Sequence, residues 1–311
     1  MTQRKHAGLE ELSTVRDLLR YAVSRFNEKN LFFGHGSASA WDEAVHLVLH
    51  RLCLPLDKLD PFLDARLTAK ERHAVLDVIA RRVDERMPAA YLTGEAWLGE
   101  YRFKVDPRVI VPRSFIAELL SERLAPWIAR PDEIARVLDL CTGSACLAII
   151  AADAFPSAHV DAVDVSRDAL EVARINVDDY GLAERVEVIE SDLFDRLDGR
   201  RYELIVTNPP YVNDTSMALL PDEYRREPHI ALAGGPDGLD LVRRIIDEAK
   251  RMLTADGLLV VEVGHERPHV EAAFPRLPIT WLSTGGGDDA VFAVRAADLA
   301  TGSATNRKRP R

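Results

Sequence analysis

From Arg136 onward the chain alternates short apolar runs with amphipathic segments, and this alternation limits the fold more than any other feature. Strands are predicted at residues 137–140, 160–163, 186–189, 204–206 and 258–263. The helices between them include residues 166–180, closed by Gly181, and residues 239–253. Such an order implies a mostly parallel sheet covered by helices on both faces, an α/β architecture. The end differs: residues 278–282 and 290–294 flank Gly285-Gly-Gly-Asp-Asp289, which predicts a hairpin adding an antiparallel pair at the sheet edge.

The first 90 residues follow a different period. Val15, Leu18, Leu19, Ala22 and Phe26 fall on one helical face, as do Trp41, Ala44, Val45, Val48, Leu49 and Leu52. A third helix opens with Thr68 and Glu71 as a capping box, turns Val75, Val78, Ile79 and Val83 inward, and stops at Pro88. His35 lies in the loop Phe32-Phe33-Gly34-His35-Gly36 and is read as structural. From Tyr101 the period becomes two, with Tyr101, Phe103 and Val105 alternating and Arg108-Val-Ile-Val-Pro-Arg113 following, which predicts a hairpin between the helical part and the rest, with the boundary near residues 95–112. At 311 residues the chain is long enough for one large domain and a smaller one.

The strand at residues 204–206 ends in Asn208-Pro209-Pro210-Tyr211. Two prolines fix φ and remove two donors, so the ladder stops and the backbone beyond is stiff. A planar NH2 group, as in a carboxamide or an exocyclic base amine, presents two donors in one plane. The Asn208 amide oxygen and the Pro209 carbonyl are two acceptors that can meet it, and Tyr211 adds an aromatic face.

The predicted strand at residues 137–140 leads into Cys141-Thr142-Gly143-Ser144-Ala145, a turn of small residues that admits close approach to the backbone at a helix start. It is not a dinucleotide fingerprint, because Gly-x-Gly-x-x-Gly is absent and Asp139 lies within it. A carboxylate repels a pyrophosphate but attracts the cationic, amino-bearing end of S-adenosylmethionine (SAM). Asp164 closes the second strand, where a carboxylate can accept from ribose hydroxyls, and Asp192 closes the third, within reach of an adenine amine. The acidic ends of successive strands, with Asn208 at the fourth, line the crevice where open α/β sheets bind ligands.

Asp139-Leu-Cys-Thr-Gly-Ser144, Asp164, Asp192 and Asn208-Pro-Pro-Tyr211, in that order, resemble the class I SAM-dependent methyltransferases. With the helical N-terminal part and Tyr91-Leu-Thr-Gly94, the chain is similar to the protein-glutamine methyltransferases over nearly its whole length. Phe33-Gly-His-Gly36, Trp41-Asp-Glu-Ala44, Val111-Pro-Arg-Ser114 and Glu223-Tyr-Arg-Arg-Glu-Pro228 resemble the branch that modifies the third protein of the large ribosomal subunit. A sister branch acts on peptide chain release factors and typically has Pro-Arg-Pro where this chain has Pro112-Arg-Ser114.

The resemblance implies a Rossmann-like seven-stranded sheet with an antiparallel C-terminal hairpin and a small helical domain. It implies SAM as cofactor and a large-subunit ribosomal protein as substrate. Asn208, Pro209, Pro210 and Tyr211 are the expected catalytic residues; Asp139, Cys141, Thr142, Gly143, Ser144, Ala145, Asp164, Asp192, Leu193 and Asn208 are the expected cofactor residues. The expected domains are residues 1–95 for substrate recognition, a hairpin linker at 96–115, the methyltransferase at 116–298 and a basic, disordered tail at 299–311.

Two positions depart from the pattern. Ala145 stands where glycine is usual, which suits a negative φ and is strained by a positive one. Leu193 replaces the tryptophan common in the release-factor branch, so an aromatic wall against adenine is expected to be missing. The net charge of −10 argues against a nucleic-acid footprint and hence against adenine-N6 methylation, the nearest rival chemistry. No apolar run reaches membrane-spanning length, and Cys53, Cys141 and Cys146 lack the spacing of a disulfide framework or zinc site, so a cytoplasmic enzyme is expected, without metal.

Overall fold

The computed structural model describes residues 9–302, which fall into two compact units. One takes the chain up to Ala96 together with Val105–Pro107 and Pro221–Arg226; the other takes Trp97–Lys104, Arg108–Leu220 and the chain from Glu227.

The first unit is built on three helices and a short fourth. Helix α1 (Val15–Glu28) starts from a capping box in which Thr14 and Asp17 satisfy each other's backbone amides. Helix α2 (Ala40–Arg51) starts at Ser39, and α3 (Ala69–Asp84) starts at the expected Thr68–Glu71 box. Helix α4 (Ala89–Thr93) stops at Gly94, whose φ of +76° suits a residue without Cβ. Leu18, Leu19, Ala22 and Phe26 pack with Leu47, Val48, Val75, Leu76 and Ile79 in one core. Trp41 is not part of it, being 48% exposed. It lies about 100° around the helix from Ala40 and so off the stripe of Ala40, Ala44, Leu47 and Val48.

Arg82 is fully buried in this unit, donating from Nε to Glu43 (2.6 Å), from Nη1 to Glu223 (3.1 Å) and from Nη2 to the Phe32 carbonyl (2.9 Å). His35 is buried too, its ring centroid 4.4 Å from that of Tyr224.

Strand β1 (Glu95–Leu98), which begins in the first unit, pairs with β2 (Tyr101–Lys104), so the hairpin precedes its expected position and residues 108–113, expected as its second arm, carry no strand; α5 (Ile116–Ser121) follows. Then come β3 (Arg136–Leu140), α6 (Cys146–Ala154), β4 (His159–Asp164), α7 (Arg167–Asp179), β5 (Val186–Glu190) and β6 (Tyr202–Thr207). A short ladder of β7 (Val212–Asn213) with β8 (Ala233–Gly235) brackets α8 (Asp214–Leu219). The chain closes with α9 (Asp240–Met252), β9 (Leu253–Glu262), α10 (Arg267–Ala273), β10 (Thr280–Thr284), β11 (Gly287–Arg295) and α11 (Ala296–Gly302).

The seven-stranded sheet has the order β10-β11-β9-β6-β3-β4-β5, with β11 antiparallel to both its neighbours and the remaining pairs parallel. Chain progression reverses between β3 and β6, the switch point at which open α/β sheets leave a crevice. Leu138, Leu140, Ile205, Leu259 and Val261 from the strands pack against Val242, Ile245 and Ala249 of α9. Strand β9 begins at Leu253 rather than at residue 258, because Leu253 pairs with Tyr202 before a register shift sets Leu258 against Leu204. Helix α11 occupies the first positions of the expected tail, with Leu299 buried; residues 303–311 lie outside the described residues.

Candidate active site

The site residues of β3 are held by its last turn. Asp139 is buried at 1% exposure; its Oδ2 accepts from the Thr142 hydroxyl and from the Ala148 amide (3.0 Å). Its Oδ1 has no hydrogen-bond partner among the described residues. Burial pushes this carboxyl up to about 7, against the opposing pull of its two donors. The backbone then takes left-handed conformations at alternate residues, Cys141 (φ +59°), Gly143 (+56°) and Ala145 (+64°). Gly143 takes this freely, and an added Cβ would meet only Ile110, at 3.8 Å, so the turn is open there. Ala145 carries the strain that its sequence position put at issue, about 1–2 kcal/mol for a residue with a Cβ. It is fixed by its N–H donating to the Thr142 carbonyl (2.9 Å) and by its place at the start of α6.

Asp164 is the last residue of β4 and is tied to the same turn: Gly143 N–H donates to its Oδ2 and Ser166 N–H to its Oδ1, both at 2.9 Å. Burial raises its pKa despite these donors. Asp192 stands two residues beyond β5, half-exposed, with Oδ1 paired to Arg244 (3.0 Å). Leu193 follows at φ +47° with its side chain in the sheet core beside Leu140, Val163 and Phe194.

Strand β6 delivers the fourth element. Leu140 and Thr207 are register partners, and the Thr207 hydroxyl donates to the Leu140 carbonyl (2.9 Å), so Asn208 leaves the sheet next to Cys141. Asn208, Pro210 and Tyr211 are half-buried and Pro209 is buried. Beyond Tyr211 the chain is caught by Val212 N–H donating to the Leu232 carbonyl (2.9 Å).

Sequence reading missed several groups packed around this crevice. Glu262, at the end of β9 next to β6, accepts from the Ser114 hydroxyl and the Phe115 amide (2.9 Å), and burial pushes it up to about 7. A lone carboxylate in the apolar run 258–263 was the available signal. Glu227 accepts from the Val111 amide (2.9 Å) and from both Nη atoms of Arg113 (2.7 Å each), clamping the Val111–Ser114 segment. Asn176 of α7 is buried and donates to the Ser144 carbonyl (2.9 Å), which steadies the turn from behind. Nothing in its spacing marks that role.

The acceptor set fits a ligand with a cationic amino group and neighbouring hydroxyls, since the unpaired oxygen of Asp139 and the carboxylate of Asp164 flank one turn. It does not fit a pyrophosphate. Fold and crevice together define a class I SAM-dependent methyltransferase, and a family model described as a methyltransferase small domain matches residues 117–220.

Similarity to characterised relatives extends much further. The sequence is 61% identical to the ribosomal protein uL3 glutamine methyltransferase of Bordetella pertussis, over 94% of this chain and 98% of that one. It is 60% identical to the enzyme of the same name from Burkholderia pseudomallei (92% and 95% covered) and 57% to that of Neisseria gonorrhoeae (93% and 97%). This chain belongs to the ribosomal protein uL3 glutamine methyltransferase family.

Proposed function

We propose that this chain transfers a methyl group from SAM to the side-chain amide nitrogen of one glutamine in the third protein of the large ribosomal subunit, uL3. The observation that carries this reading is Asn208-Pro-Pro-Tyr211 leaving β6 beside the Asp139–Ala145 turn of β3, at the switch point of the sheet. Asp139, Asp164, Asp192, the turn residues Cys141, Thr142, Gly143, Ser144 and Ala145, and Leu193 would hold the cofactor, with Asn208 at its edge. When bound, SAM supplies the methyl group as a sulfonium electrophile.

An amide nitrogen is a weak nucleophile because its lone pair is delocalised into the carbonyl. The Asn208 oxygen and the Pro209 carbonyl accept its two hydrogens and favour the positive charge that grows on nitrogen as the N–C bond forms. This is the counterpart of an oxyanion hole, where one group is worth roughly 3–4 kcal/mol. Pro209 and Pro210 keep the acceptors stiff, and Tyr211 offers its face to the amide plane. The alkylated nitrogen is acidic enough to lose its proton to water or to the Asn208 oxygen without a dedicated base. The helical unit serves substrate recognition, and the enzyme works in the cytoplasm. Among the described residues no helix is long and apolar enough to cross a membrane.

The test is methyl transfer from labelled SAM to two purified proteins in parallel, uL3 and a release factor, with intact masses recorded. A gain of one methyl on uL3 alone is expected. Labelling of the release factor alone overturns the substrate, and silence on both overturns the chemistry and directs the assay to adenine in nucleic acid. A chain lacking residues 1–90 that folds and still prefers uL3 refutes the role of the helical unit.

A further inference from the structure

Tyr211 is approached by three glycines from two later stretches of the chain, and each meets a different part of it. A Cβ built on Gly234 would lie 2.7 Å from the Tyr211 Cα, and one on Gly238 would lie 2.3 Å from the Tyr211 carbonyl oxygen. One on Gly264 would lie 2.6 Å from Cε2 and 3.0 Å from Cζ of the ring. Real Cβ atoms do not come this near to backbone or ring carbon, so no other residue type fits at these positions without moving Tyr211. Gly238 and Gly264 also hold φ at +78° and +55°.

The collar is itself anchored. Strand β8 carries Gly234 and pairs with β7 just after Tyr211, and Gly264 follows β9 directly. Glu266 accepts from the Asn213 side chain (2.7 Å) and pairs with His269, joining the segment after β9 to the segment after Tyr211. Two stretches of chain thus converge on Tyr211, one holding its backbone and the other its ring.

We propose that Gly234, Gly238 and Gly264 are positioning residues that set the pose of Tyr211 against the glutamine amide. The proposal rests on the reading of Tyr211 as a site residue. A misplacement of about 1 Å at a reacting centre costs on the order of a hundredfold in rate.

The test is a double-mutant cycle in the full chain on Gly264→Ala and Tyr211→Ala, with Gly181→Ala as control. Gly181 has a φ of +65° and nothing within 4 Å of an added Cβ, so it repeats the backbone strain without the ring contact. Gly264→Ala is expected to lower kcat on uL3 about a hundredfold, with SAM affinity within about twofold of wild type and Gly181→Ala near wild type. In the Tyr211→Ala background, adding Gly264→Ala is expected to cost at most about twofold, because the ring it displaces is gone. An equal loss in both backgrounds overturns the proposal. If Gly264→Ala alone fails to fold, the double variant is expected to fold as Tyr211→Ala does, and continued misfolding overturns it as well. Wild-type turnover in Tyr211→Ala refutes the reading of Tyr211 itself, separately from the collar.

Discussion

Asp139→Asn is expected to move two measurements in opposite directions. Burial holds the Asp139 carboxyl at about 7, whereas 3.8 is its ordinary value. The folded state therefore binds a proton that the unfolded chain releases between those values, so stability falls as pH rises through about 4 to 7 and stays lower above. Three pH units at about 1.36 kcal/mol each give a destabilisation of roughly 4 kcal/mol at pH 8 in the cofactor-free protein. Asparagine does not titrate, and its oxygen can keep the Thr142 and Ala148 donors. Its NH2 group replaces the unpaired Oδ1, at a cost of about 1–3 kcal/mol.

Urea denaturation without SAM should then show Asp139→Asn more stable by about 1–3 kcal/mol at pH 8, with no gain at pH 4. Glu262, also raised by burial, titrates in both proteins and cancels in the difference, whereas the Asp139 and Asp164 charges repel each other, so removing the first adds to the gain at pH 8. SAM binding should weaken by roughly 10- to 150-fold, the worth of a hydrogen bond to a charged group. Wild-type affinity should rise as pH passes about 7, and that of the variant should not. A variant with wild-type SAM affinity, or with no stability gain at pH 8, would refute the assignment of a charged, buried Asp139 to the cofactor's amino group.

Asn208→Ala should lower kcat by about 10²–10³ with SAM affinity retained, measured by methyl transfer and calorimetry; unchanged turnover removes Asn208 from the chemistry. Asp164→Ala should weaken SAM binding by about 1.5–3 kcal/mol through lost charged hydrogen bonds, read by the same titration. Arg82→Met leaves Glu43 buried without its cation and Glu223 with Arg86 alone, and should destabilise the protein by about 3–5 kcal/mol in chemical denaturation at pH 8. That loss should shrink toward pH 4, where the buried Glu43 carboxyl takes up a proton; a pH-independent loss would point to packing instead.

Much of the crevice was legible because its chemistry is written in contiguous motifs at strand ends. A run of apolar residues beside an acid or Asn-Pro-Pro marks a strand and the neighbourhood of its end: β4 ends on Asp164 and β6 just before Asn208, whereas Asp139 is the last but one residue of β3 and Asp192 stands two residues beyond β5. The capping box at Thr68 and Glu71 is equally local. Trp41 escaped correct placement because periodicity gives a helical face but not how far a partner covers it. Glu262 and Glu227 escaped because their donors, Ser114 and Arg113, lie 148 and 114 residues away.

The sequence by itself determined the alternation that makes a parallel sheet, the sign of charge that selects a cationic cofactor, and the stiff exit from a strand at Asn208-Pro-Pro-Tyr211. Each depends on residues adjacent in the chain, whose geometry the covalent backbone sets. Only the tertiary structure decided that Ala145 sits left-handed, that Asp139 keeps an unpaired oxygen, that Asp192 is already held by Arg244, and that three distant glycines close on Tyr211. These depend on which segments the sheet order brings side by side, and burial, strain and close approach are properties of that neighbourhood rather than of any one stretch of chain.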